Sequence, residues 1–264
     1  MTLLALETRN PALDRLRHAS PLLWNLSLAF LAAFVSCLAL AAVDPRVLNG
    51  AGVWVKPAKF YLSLALHMLT MAFAVTLLPD AIQRRRGTSL ATGTMASMAI
   101  LEQVYITWRA SRAEASHFNA SSPLAEALYS AMGMGAALMM VATAWIGLEV
   151  LRHGPRHALV WATGSSFILA AALTLVIGFT LGSRGSHWIG GDLTDATGLP
   201  VLGWSTTGGD LRPAHFLGLH VMQLAPLAAW LGGARLALLA TAAATALCVT
   251  AYAMALMGLP LIHI

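Results

Sequence analysis

The chain has 264 residues, 58% of them hydrophobic and only 10% charged, with a formal net charge of +5. A soluble domain carries about 25% charged residues, so this composition excludes a surface that faces water all round. In so apolar a chain the positive balance speaks to membrane topology, and no nucleic-acid partner is expected.

The first twenty residues, "MTLLALETRNPALDRLRHAS", are polar and charged, and the apolar run that follows is too long for a signal-peptide core. Residues 1–20 therefore read as a cytoplasmic segment without a cleavable signal. Residues 21–264 read as one transmembrane domain. A helix crosses a bilayer in about 20 residues, and seven charge-poor runs reach that length: 21–43, 60–79, 88–108, 127–148, 158–183, 213–234 and 236–262. Barrel strands would be half as long and would alternate. The expected fold is all-α, a polytopic membrane protein of seven transmembrane helices. Cys37 and Cys248 fall within these runs and read as small buried hydrophobes.

Cytoplasmic loops favour Lys and Arg. The compact basic turns "QRRRG" and "RHGPRH" follow the second and fourth spans, which places the N-terminus inside and the C-terminus outside. Two long connections then lie on the outer face, 111–124 and 184–212, the second between helices 5 and 6. Loops of this length are binding loops, lids or linkers. With Trp188 and Trp204 in it, the second is expected to cover a mouth between the second, third and sixth spans.

Three spans carry polar residues at helical spacing. Lys56, Lys59, Ser63, His67 and Thr70 share one face, as do Glu102, Tyr105, Arg109, Arg112 and Ser116, and Arg212, Phe216, His220 and Gln223. With a rise of about 1.5 Å per residue, His67 and His220 lie about 12 Å below Lys59 and Arg212, and Glu102 about 10 Å below Arg109. Ionisable groups at such depth face a cavity or a partner. His215 and His220 point about 140° apart on an ideal helix, which assigns His215 to the rim.

Four blocks, "WVKPAKF" (54–60), "SHFN" (116–119), "GWSTTGGDLR" (203–212) and "HFLGLHVMQ" (215–223), together resemble a group of uncharacterised bacterial integral membrane proteins. The resemblance implies a multi-pass protein of the bacterial inner membrane. Ser63 and His67 also resemble the early Ser and His of seven-helix metal-dependent hydrolases related to ceramidases and adiponectin receptors. That likeness implies zinc on a late histidine pair, here His215 and His220, with Glu102 in place of the family's early Asp; the spacing of the late pair is one residue longer than the family's.

Three functions suit these residues. In a metal-dependent enzyme, His67, Glu102 and His220 ligate Zn or Fe, with Ser63, Glu102 and Gln223 as catalytic groups. Lys56, Lys59, Arg109, Arg112 and Arg212, joined at the rim by His117, Asn119, His187, Asp210 and His215, bind an anionic lipid or other amphiphile. In a b-type haem protein, for electron transfer or sensing, His67 and His220 are the axial ligands. A small-anion carrier or receptor uses the rim cations alone. Membrane lipids are the expected partners.

Overall fold

The computed structural model describes residues 11–263, so Arg9 and the rest of residues 1–10 lie outside the described part. Helices α1 (Pro11–Ala19), α2 (Pro21–Val43), α3 (Val55–Thr76), α4 (Asp80–Gln83), α5 (Arg86–Ser111), α6 (Pro123–His153), α7 (Ala158–Arg184) and α8 (Leu211–Leu256) account for most of the chain. The strands are short: β1 (Val47–Leu48) pairs with β2 (Ala51–Gly52), and β3 (Trp188–Ile189) with β4 (Gly209–Asp210), both antiparallel.

Local chemistry sets the ends. Pro21 and Pro123 open α2 and α6, where a missing N–H costs nothing. The Ser122 hydroxyl accepts from the Ala125 amide, and the Asp210 carboxylate from the Arg212 amide, as N-caps. Between β1 and β2, Asn49 and Gly50 both take positive φ, which a two-residue hairpin turn requires. Helix α1 lays Leu16 and Ala19 against the core.

Five helices, α2, α3, α6, α7 and α8, are long and apolar enough to cross a membrane. Helix α5 has 26 residues but carries Glu102, Gln103 and Arg109. Helix α8, with 46 residues, is broken at Gly232 and Gly233, whose backbone leaves helical space. Its two halves fold back on each other: Cys248 Sγ reaches the Ala214 carbonyl at 3.3 Å, and Gly209 lies against the Ala255 backbone. Both cysteines are free and buried.

Neighbours in sequence are neighbours in space, with α2 on α3, α5 on α6, α6 on α7 and α7 on α8. Their shared core is rich in methionine, with Met68, Met71, Met95, Met139 and Met222 beside Leu23, Ile146 and Phe167. The outer faces are apolar as well. Val35 and Leu38 on α2, Leu101 and Val104 on α5, Val176 and Phe179 on α7, and Leu238 and Leu239 on α8 are all exposed. A helix apolar on both faces suits hydrocarbon as its solvent. Gly154 comes close to the Leu77 carbonyl, so the turns after α3 and α6 share one end of the bundle. The two long loops share the other.

Candidate functional site

The connection after α7 is a built cap. Asp195 N and Thr194 Oγ1 both donate to the Asn49 carbonyl, at 2.8 and 3.2 Å, which ties the loop to the α2–α3 turn. Lys59 Nζ donates to the Leu202 carbonyl at 3.0 Å, which ties it to α3. Arg212 closes the assembly: Nη1 meets Asp195 Oδ1 at 2.8 Å, Nη2 meets Asp210 Oδ2 at 2.7 Å, and Nη2 also donates to the Gly203 carbonyl at 2.6 Å. Asp210 is 3% exposed and accepts from Ser205 N as well. Trp188 lies under the Arg212 guanidinium, 5.8 Å away, and the Trp204 ring meets Phe216 of α8 at 5.6 Å. The loop thus covers the head of α8 and reaches α3. The cost is that Arg212, Asp210 and Lys59, expected to meet a ligand, are spent on holding it.

The shorter of the two long loops treats its cations in the same way. Glu114 takes both Arg109 Nη1 and Arg112 Nε, at 2.5 and 3.1 Å. Arg109 is buried between this carboxylate and the rings of Tyr105 and Trp108. Asn119 donates to the Ala115 carbonyl and accepts from the Ser121 amide, so its polar atoms shape the turn. The loops meet where Phe118 packs on His187 with ring centres 5.8 Å apart.

Two histidines lie in this layer. His117 packs among Phe60, Phe118 and Tyr129 and pairs with the Ser116 hydroxyl at 3.1 Å. Burial holds its imidazole well below the usual range. His187 is held down to about 3, by burial first and then by the Arg212 charge. It faces Asp195 at 4.0 Å, with Asp210, Lys56, Lys59 and His117 also within electrostatic reach. Both rings are therefore neutral at pH 7. Below about pH 6.5 the opened loop binds more protons than the closed one, and the closed form loses stability as pH falls toward about 3. Hydrogen exchange of residues 185–209, corrected for intrinsic rates, is expected to be faster at pH 5 than at pH 7.5. His187→Phe should flatten that difference.

Beneath the cap, two hydrogen-bond relays hold the membrane-level histidines. His67 Nε2 lies 3.0 Å from Thr143 Oγ1 on α6, and that hydroxyl donates to the Met139 carbonyl at 2.9 Å. The threonine proton is thus committed, so His67 Nε2 is the donor and Nδ1 carries the free lone pair. His220 Nδ1 lies 3.2 Å from Gln223 Oε1, while Gln223 Nε2 donates to Thr70 Oγ1 on α3 at 3.3 Å and Thr70 donates to the Leu66 carbonyl at 2.7 Å. His220 is then the Nδ1–H tautomer, with Nε2 free. These bonds carry the α3 and α8 stripes toward one another. The two histidines are within electrostatic reach, as are His215 and His220, and Lys56 and Glu102.

Among the described residues no group of three His, Cys, Asp or Glu side chains is placed to hold a metal ion, so the expected triad of His67, Glu102 and His220 finds no support there. His67 Nε2, the nitrogen best placed on an imidazole to reach a haem iron, is occupied by Thr143. Ser63 is half-buried on α3 and makes no side-chain hydrogen bond among the described residues. Sequence reading passed over Thr143, Asp195 and Glu114, which fix His67, Arg212 and the arginine pair. It also ended the fourth span before Glu149, which is 2% exposed on α6, 3.6 Å from His153.

No family model matches the chain, and neither a curated protein nor a solved structure matches it. Fold and surface define the class: a helical protein with the length and apolar exposure of an integral membrane protein.

Proposed function

We propose that this chain is a seven-span protein of the bacterial inner membrane that binds a small anion, or the anionic head of an amphiphile, beneath its outer cap. The spans are α2, α3, α5, α6, α7 and the two halves of α8. The basic turns Arg84–Arg86 and Arg152–Arg156 support an N-in, C-out orientation. Labelling of single cysteines should find Leu193→Cys reactive from outside and Arg156→Cys only after permeabilisation.

The observation that carries the ligand reading is Lys56. Lys59, Arg109, Arg112 and Arg212 are each engaged by a carboxylate or a carbonyl. Lys56 is half-buried over the Phe60 ring and has no hydrogen bond or ion pair among the described residues. Lys59 and Arg212 repel its charge, while Glu102 and, from the cap, Asp195 attract it without bonding to it. An ammonium withdrawn from water with so little compensation is costly, and an anion would supply what is missing. His215 and the free Nε2 of His220 lie in the same region and could orient a protonated ligand oxygen.

The test is thermal unfolding in detergent micelles with phosphate, sulfate and alkyl carboxylates of increasing length. At least one anion should raise the midpoint of the wild type and of Lys59→Gln, and leave Lys56→Gln unmoved. Equal shifts in the wild type and Lys56→Gln, or none in either, would end this reading.

A further inference from the structure

We propose that the outer end of α5 is a separate phospholipid site, in which Arg112 receives the phosphate of a lipid whose acyl chain lies along the helix. Leu101, Val104, Trp108 and Arg112 follow one another at steps of three or four residues, so they form one face of α5. That face is bare: Leu101 and Val104 are each 61% exposed, Trp108 46%, and the Arg112 side chain 57%. The order along it is apolar, aromatic, cationic, which is the order a leaflet presents from its middle to its head groups. From Leu101 to Arg112 the helix rises about 16 Å, close to half of the roughly 30 Å hydrocarbon thickness.

A cleft of about 670 Å³ opens at the cationic end, lined by Trp108, Arg109, Arg112, Glu114, Asn119 and Ser122 among others. Among the described residues that line the cleft, Glu114 is the one carboxylate for two guanidiniums, an excess of one positive charge. Arg112 gives Glu114 only its Nε; neither Nη makes a hydrogen bond among the described residues. Its guanidinium sits 5.9 Å from the Trp108 ring, so the fork is held above the interface with two nitrogens to spare. A phosphate oxygen pair matches that fork.

The site rests on α5 spanning the membrane and is independent of the Lys56 ligand. Protein purified in mild detergent with phosphatidylglycerol should retain the lipid in native mass spectrometry. Arg112→Gln is expected to reduce retention at least tenfold, Arg156→Gln, exposed at the other end of the bundle, to leave it unchanged, and Glu114→Gln, which frees both guanidiniums, to raise it. Excess inorganic phosphate should not displace the lipid, because the acyl track holds it as well. Retention by Arg112→Gln equal to wild type, or displacement by phosphate alone, overturns the proposal. If Arg112→Gln does not fold, quenching by acyl-brominated phosphatidylglycerol decides: wild type should lose more fluorescence than Trp108→Phe, and equal loss overturns the site.

Discussion

Arg212→Ala is expected to destabilise the folded protein by about 3–5 kcal/mol, because it leaves carboxylates in a buried network without their counterion. Asp210 has a side chain only 1% exposed, and Arg212 and Asp195 are 23% and 18% exposed, so water cannot take the place of the guanidinium. The Gly203 carbonyl loses its donor in the same step. In a chain of this size the loss corresponds to a fall in the thermal midpoint on the order of 10 °C. Arg212→Lys should recover only part of it, since one ammonium cannot reproduce a planar fork that meets two carboxylates and a carbonyl. Arg112→Gln, at an exposed pair, is the control and should shift the midpoint little.

Gly147→Val is expected to be comparably damaging, for a reason of packing. A Cβ at Gly147 would stand 2.7 Å from the Gly164 carbonyl oxygen and 2.8 Å from Phe167 Cβ, and one at Gly164 would stand 2.8 Å from the Gly147 carbonyl. Backbone cannot swing aside, so α6 and α7 must separate. Overpacking costs about 1–3 kcal/mol, occasionally more. Thr143 lies one turn before Gly147, so the displacement also loosens its bond to His67. Gly133→Ala and Gly178→Ala meet nothing within 4 Å and should be neutral or mildly stabilising, since Ala is the better helix former. Thermal midpoints and yields of the three variants check this; a stable Gly147→Val would place the close helix approach elsewhere.

These two variants touch different parts of what a sequence can reveal. The helices were legible because hydrocarbon imposes a long apolar run and helical spacing imposes a stripe, and both are properties of consecutive residues. The break in α8 was legible in part, since Gly232 and Gly233 separate two apolar runs that each reach spanning length.

What the sequence could not reveal is which polar groups consume one another. Arg212 and Asp195 are seventeen residues apart, and His67 and Thr143 seventy-six. No local spacing marks such pairs. A cation at a membrane rim looks the same in sequence whether it waits for a ligand or already holds a loop. Only the folded loop, crossing from Asn49 to Leu202 to Arg212, decides it. For the same reason the relays that hold His67 and His220 left no mark in the sequence. Equal depth is set by one helix at a time, whereas convergence within bonding distance depends on how each helix is rotated by its neighbours. The apolar spans and polar stripes are thus written in the order of residues along the chain. The cap, the tautomers of His67 and His220, and the lack of a partner for Lys56 among the described residues arise from contacts between distant segments, where hydrogen bonds and charge pairs are settled only when the whole bundle closes.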